Sequence, residues 1–197
     1  GGAGDDTFQI AAASDVSSGL NLSGGAGTDT LTLTSTDITS LNFASGNSFF
    51  ATTETFNITG GAGGGVAVTI GSNAFDSGFT TVTADGTSDS LLIFSEFGNS
   101  NVDLRGVTLT EVETVSMTQA SFQQIMAIDA NTTFTGLTTI SGTVNGSTVD
   151  DQIFINGDRD FSGITFTNID KINLNDENSD GTRSTLGADN TTSFGIT

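Results

Sequence analysis

The strongest constraint on this chain is a repeat of short, alternating segments. Residues 103–117 read DLRGVTLTEVETVSM, and residues 160–174 read DFSGITFTNIDKINL. At an offset of 57 residues, Asp103 meets Asp160, Gly106 meets Gly163, Thr108 meets Thr165, Glu113 meets Asp170 and Val115 meets Ile172. A shorter copy, FATTETFNI at residues 50–58, places Glu54 where the others carry Glu113 and Asp170. Upstream of each copy stands an Asp that opens a run of alternating apolar residues: Asp29, Asp89 and Asp151. Chains with internal periods of this kind stack small units that cannot bury an apolar face alone.

The units read as strands. Leu31 and Leu33 alternate with threonines, and Val66, Val68 and Ile70 alternate with Ala67 and Thr69. Leu91 and Ile93, Val107 and Leu109, Val115 and Met117, Ile153 and Ile155, and Ile164 and Phe166 keep the same period of two. A period of two puts apolar residues on one face of a pleated strand and polar ones on the other. Leu92, Phe94 and Phe154 interrupt the pattern, which predicts cover on both faces there. Residues 119–129, with Phe122, Ile125, Met126 and Ile128, fit either a short helical turn or an irregular loop. The expectation is an all-β chain, a β-solenoid or β-roll of three degenerate units of roughly 60 residues, with a β-sandwich array as the alternative. No Pro-rich linker or charge block divides residues 1–197, so they read as a single elongated domain, a segment of a longer chain.

Composition removes several functions. The chain lacks His and Cys, so a Ser-His-Asp triad, a thiol nucleophile and a zinc site of the usual kind are excluded. Only four residues are Lys or Arg against 23 Asp or Glu, a net charge of −19, which excludes a basic track for nucleic acid. Apolar runs such as residues 91–94 are too short for a membrane-spanning helix, so no membrane insertion is expected. Yet 35% of residues are hydrophobic, 15 of them Phe, enough to build a core.

Two segments carry a metal-binding pattern. Residues 1–9 read GGAGDDTFQ and residues 24–32 read GGAGTDTLT, and both fit G-G-x-G-x-D-x-U-x. A third stretch, GGAGGGVAV at residues 60–68, has Gly65 in place of the Asp. On these motifs the chain resembles the RTX family of secreted calcium-binding proteins. The resemblance implies Ca²⁺ held by Asp6 and Asp29, with Asp5 and the backbone of Gly2, Gly4, Gly25 and Gly27 helping. Calcium takes six to eight hard oxygens, and Gly permits a turn that aims carbonyls inward. In a regular RTX roll the nonapeptides run in tandem, whereas here the copies start 23 residues apart. A second candidate, DENSDGT at residues 176–182, places Asp176, Asn178 and Asp180 at alternate positions, with the Thr182 carbonyl available.

Other acids are weaker candidates. Glu111 and Glu113 share a face if their strand is regular, and the default for them is a solvated face. Asp158, Arg159 and Asp160 form an acid–base–acid triplet that a polysaccharide-cleaving β-solenoid enzyme would use. The absence of Trp and Tyr argues against a sugar groove, so the chain is read as no enzyme. The expectation is an extracellular, self-assembling structural protein at the bacterial cell surface, a surface-layer or filament subunit pairing with copies of itself. The alternative is an adhesin stalk or surface-binding module that contacts a cell-surface polysaccharide.

Overall fold

The computed structural model describes residues 1–16, 20–43, 49–59, 63–94, 101–118, 123–143, 151–157, 159–175 and 185–186. Its strands, numbered β1 to β20 along the chain, are two to five residues long. They pair only in parallel, which rules out the antiparallel sandwich and leaves a β-solenoid.

The chain winds around three faces. The first stacks β1 (Thr7–Ile10), β3 (Thr30–Leu33), β6 (Thr55–Asn57), β8 (Thr81–Thr83), β11 (Thr108–Thr110) and β14 (Thr133–Thr135) in that order. The second stacks β4 (Ser40–Asn42), β7 (Ala67–Gly71), β9 (Ser90–Phe94), β12 (Thr114–Met117), β15 (Thr139–Ser141) and β18 (Thr165–Thr167). A 3-10 turn, Ala13–Val16, lies against β4. The third begins with β2 (Asn21–Ser23) on β5 (Phe49–Ala51) and continues with β10 (Asn101–Asp103), β13 (Ile125–Asp129), β16 (Gln152–Asn156) and β19 (Lys171–Asn175). Between those two parts sits a short helix, α1 (Asn73–Ser77), in contact with β5 and β10. A last pair, β17 (Asp160–Phe161) and β20 (Thr185–Leu186), completes the set.

The stacked unit is much shorter than the sequence repeat. Partners in successive turns lie 23 to 27 residues apart. The 57-residue repeat therefore spans two turns and one further face, and aligns β11 of the first face with β18 of the second. What recurs is a corner. Thr52, Glu111 and Asn168 hold equivalent places in the three copies and take φ of 49°, 55° and 53°. Each copy encodes the same left-handed bend between two strands, irrespective of the faces it joins.

Alternation places the core as expected. Leu31, Leu33, Val68, Ile70, Leu91, Ile93, Leu109, Val115, Ile153 and Ile155 are buried on the inside of the turns. Phe43, Phe50, Phe56 and Phe79 cluster there, with ring centroids 4.9 to 5.8 Å apart. Residues 125–129, read as a helical turn or loop, are strand β13, with Met126 and Ile128 buried and Asp129 facing outward. The apparent 3.6-residue spacing came from a single extra apolar residue, Ile125, on the outer side. Phe154 is 37% exposed rather than covered on both sides, and Leu92 and Phe94 are part-buried. The helical turn of α1 carried no sequence signal.

On the outer side of the first face the register is exact in two columns. One runs Thr7, Thr30, Thr55, Thr81, Thr108 and Thr133, and the other Gln9, Thr32, Asn57, Thr83, Thr110 and Thr135.

Candidate functional site

The two GGAG turns, 23 residues apart in sequence, stack directly. Ala3 bridges Ala26, the Gly4 N–H donates to the Ala26 carbonyl at 2.6 Å, and the Ala26 N–H donates to the Gly2 carbonyl at 2.9 Å. The glycines are needed where φ is positive, 107° at Gly4, 117° at Gly25 and 137° at Gly27. The Thr28 N–H donates to Asp5 Oδ1 at 2.8 Å, and the Gly2 N–H donates to Asp6 Oδ2 at 2.8 Å. The structure thus brings together Asp5, Asp6, Asp29 and the four glycines. Gly2 O is engaged in stacking the turns. Asp176, Asn178, Asp180 and Thr182 lie outside the described residues.

Gly24 marks a cradle. A Cβ there would lie 1.9 Å from the Thr52 carbonyl oxygen and 2.1 Å from Asp29 Oδ2. One turn away, a Cβ at Gly1 would lie 2.0 Å from the Gly24 carbonyl oxygen and 2.3 Å from Asp6 Oδ2. Asp29 is fully buried, and its Oδ2 receives no hydrogen bond. An orphaned carboxylate oxygen beside carbonyl oxygens is the donor chemistry of a hard cation. The fit is limited in one respect: no group of three or more acidic side chains converges among the described residues.

The same acids perform a second task, repeated at all three corners. Into the first face, the Asp6 N–H donates to Asp29 Oδ1 and the Asp29 N–H donates to Glu54 Oε2, both at 2.8 Å. Into the second, the Val66 N–H donates to Asp89 Oδ1 at 2.7 Å and the Asp89 N–H to Glu113 Oε2 at 2.6 Å. Into the third, the Gln124 N–H donates to Asp151 Oδ1 at 3.1 Å and the Asp151 N–H to Asp170 Oδ2 at 2.8 Å. At each corner two N–H groups of the next turn converge on one Asp carbonyl: those of Glu54 and Thr55, of Glu113 and Thr114, and of Asp170 and Lys171. That doubling takes the strand ladder out of step, and the carboxylates cap the N–H groups it leaves over. Sequence comparison had aligned Asp29, Asp89 and Asp151 with one another, and Glu54, Glu113 and Asp170 likewise. It did not pair the two sets. The pairing signal was an acid 19 to 25 residues downstream of each buried Asp.

These corners shift acidity. Burial pushes the Asp89 carboxyl up, aided by the nearby Asp85 and Glu113 charges, against hydrogen bonds from the Val66 and Asp85 N–H groups. Burial also raises Asp151, with the Asp170 charge adding to it. On the third face, hydrogen bonding to Arg105 lowers Asp103, and the Arg105 Nε–Asp103 Oδ1 distance is 2.9 Å. At Asp129 the effect of burial is outweighed by hydrogen bonds from Gly106, Thr132 and Asn131, and the carboxyl falls below its usual range.

Glu111 and Glu113 do not share a face. Glu111 sits at the left-handed corner, its Oε2 3.0 Å from where a Cβ would stand at Gly86 or at Gly136, while Glu113 caps Asp89. Of the acid–base–acid triplet, Asp158 lies outside the described residues. The Arg159 guanidinium packs over the Phe134 ring, 5.2 Å from its centroid, and Asp160 Oδ1 accepts the Ser162 N–H at 2.8 Å. At the other end of the stack, β1 is the terminal strand of its sheet, and a cavity of about 420 Å³ opens beside Phe8, Ile10, Leu20, Leu22 and Leu31.

No protein-family model, curated protein or solved structure matches this chain.

Proposed function

We propose that the chain is a structural segment of an extracellular bacterial assembly, a surface layer, filament or adhesin stalk, stiffened by Ca²⁺ at its GGAG turns. The observation that carries this reading is the recurrence of one carboxylate cap at every corner: the acids that could have served chemistry hold a straight stack together. A stack of parallel turns is quasi-one-dimensional, and its terminal strands accept further turns or a second copy. The uncovered edge of β1, with the apolar cavity beside it, suits such an addition. Asp29 Oδ2, Asp6 Oδ2 and the Thr52 and Gly24 carbonyls are the groups that would hold the ion. Bound Ca²⁺ would offset part of the −19 charge and satisfy the orphaned oxygen.

The test is a calcium titration of chelator-treated protein, followed by circular dichroism and light scattering. Ca²⁺, and not Mg²⁺, is expected to raise the melting temperature and the particle size, and Asp29→Asn to remove most of both responses. A chain that melts and scatters identically in chelator and in calcium refutes the calcium-stiffened scaffold.

A further inference from the structure

The two outward columns of the first face form a regular lattice. Ten of the twelve residues are Thr, the other two are Gln9 and Asn57, and none is charged or buried. Neighbours along a column are about 4.8 Å apart, and the columns about 6.7 Å apart along the strands. Thr has a restricted χ1, so each column repeats one methyl and one hydroxyl in near-constant orientation. Among the ten hydroxyls, only that of Thr32 makes a hydrogen bond within the chain, to the Leu33 carbonyl at 3.4 Å. The rest face solvent with their donor and acceptor capacity intact.

Folding does not require this uniformity. The second face is equally deep, yet its outer side mixes Ser40, Ala67 and Ser90 with Asn42, Leu92 and Phe94. What a flat, uncharged array of hydroxyls and methyls does is order water. Each hydroxyl anchors one molecule, and the methyls between them hold others in a cage over apolar surface. The strand interval sets the repeat of that water layer, and rows of oxygen atoms in hexagonal ice repeat at nearly the same interval. A charged side chain would pull water around itself and break the rows.

We infer that the first face binds ice, its ordered water layer merging with the crystal lattice. The inference is independent of calcium and of self-assembly. It is tested on the full chain in calcium-saturated buffer, by incorporation into a slowly growing ice hemisphere and by thermal hysteresis. The variants are Thr81→Lys with Thr108→Lys at the centre of the first face, and Thr114→Lys with Thr139→Lys at the centre of the second. Circular dichroism verifies that each is folded. The unsubstituted chain is expected to enter ice several-fold more than a globular protein of similar size. The first-face variant should fall to the level of that protein, and the second-face variant should be unchanged. Exclusion of the unsubstituted chain from ice overturns the proposal. So does equal loss in both variants, or binding to crystalline polysaccharide with no entry into ice.

Discussion

The first and second faces are built to the same plan and finished differently. Each stacks six parallel strands in register around the same core, and each is entered through a corner where a buried Asp is capped by an acid from the next turn. Inside, both are apolar without exception at the central strands: Phe56 and Val82 on one, Val68 and Leu91 on the other. Outside, the first shows two columns of near-uniform Thr, while the second accepts Ser, Ala, Asn and Leu at matching positions. Packing therefore dictates the inner side and tolerates variety on the outer one. A regularity that packing does not require calls for a reason outside the core, and this is why the first face, and not the second, carries the ice-binding inference.

The interior offers the most severe way to break the comparison. Phe56→Ala on the first face removes a ring that contacts Phe43 and Phe79, and should cost about 3–5 kcal/mol. Leu91→Ala on the second face should cost about 2–5 kcal/mol. Urea midpoints measure both. If one face tolerated its substitution almost freely, the two would not share a single core.

The corners give a smaller and sharper contrast. Asp89 accepts two backbone N–H groups, from Val66 at 2.7 Å and Asp85 at 3.3 Å, whereas Asp29 accepts one and buries an oxygen with no donor. Asp89→Ala should therefore destabilise more than Asp29→Ala in the absence of calcium, by about 1–3 kcal/mol for each buried N–H left unpaired. Equal losses in a thermal melt would show that the corner caps contribute nothing specific.

The pH dependence is smaller still. Asp89 and Asp151 have carboxyls raised in the folded state, so folding favours their protonated forms. The stability they contribute is fully present below the ordinary value of 3.8 and is lost as pH rises through their raised values. Asp103 and Asp129 are lowered, and their contribution is lost as pH falls below 3.8. Stability should rise from neutral pH towards the mildly acidic range and fall at stronger acid. Asp89→Asn, neutral at every pH, should flatten the rising limb. A urea midpoint that falls steadily from about pH 7 to about pH 4 would contradict this assignment.

Much of this molecule is legible in its sequence. The period of two located the inward residues of both large faces, and the absence of His, Cys and a basic cluster excluded whole classes of chemistry before any fold was known. The glycines of the GGAG turns announced tight left-handed backbone, which Gly4, Gly25 and Gly27 adopt. Local rules suffice there, because alternation and positive φ are properties of a residue and its immediate neighbours. The length of a turn was not legible. Identical corner sequences recur on different faces, so a 57-residue repeat concealed turns of 23 to 27 residues. Nor were the carboxylate caps, since Asp29 and Glu54, or Asp151 and Asp170, meet only when successive turns are stacked. The threonine columns are of the same kind. Each T-x-T was visible in its own strand, but a lattice exists only once register lines up six strands, and register is decided by the burial of a shared core.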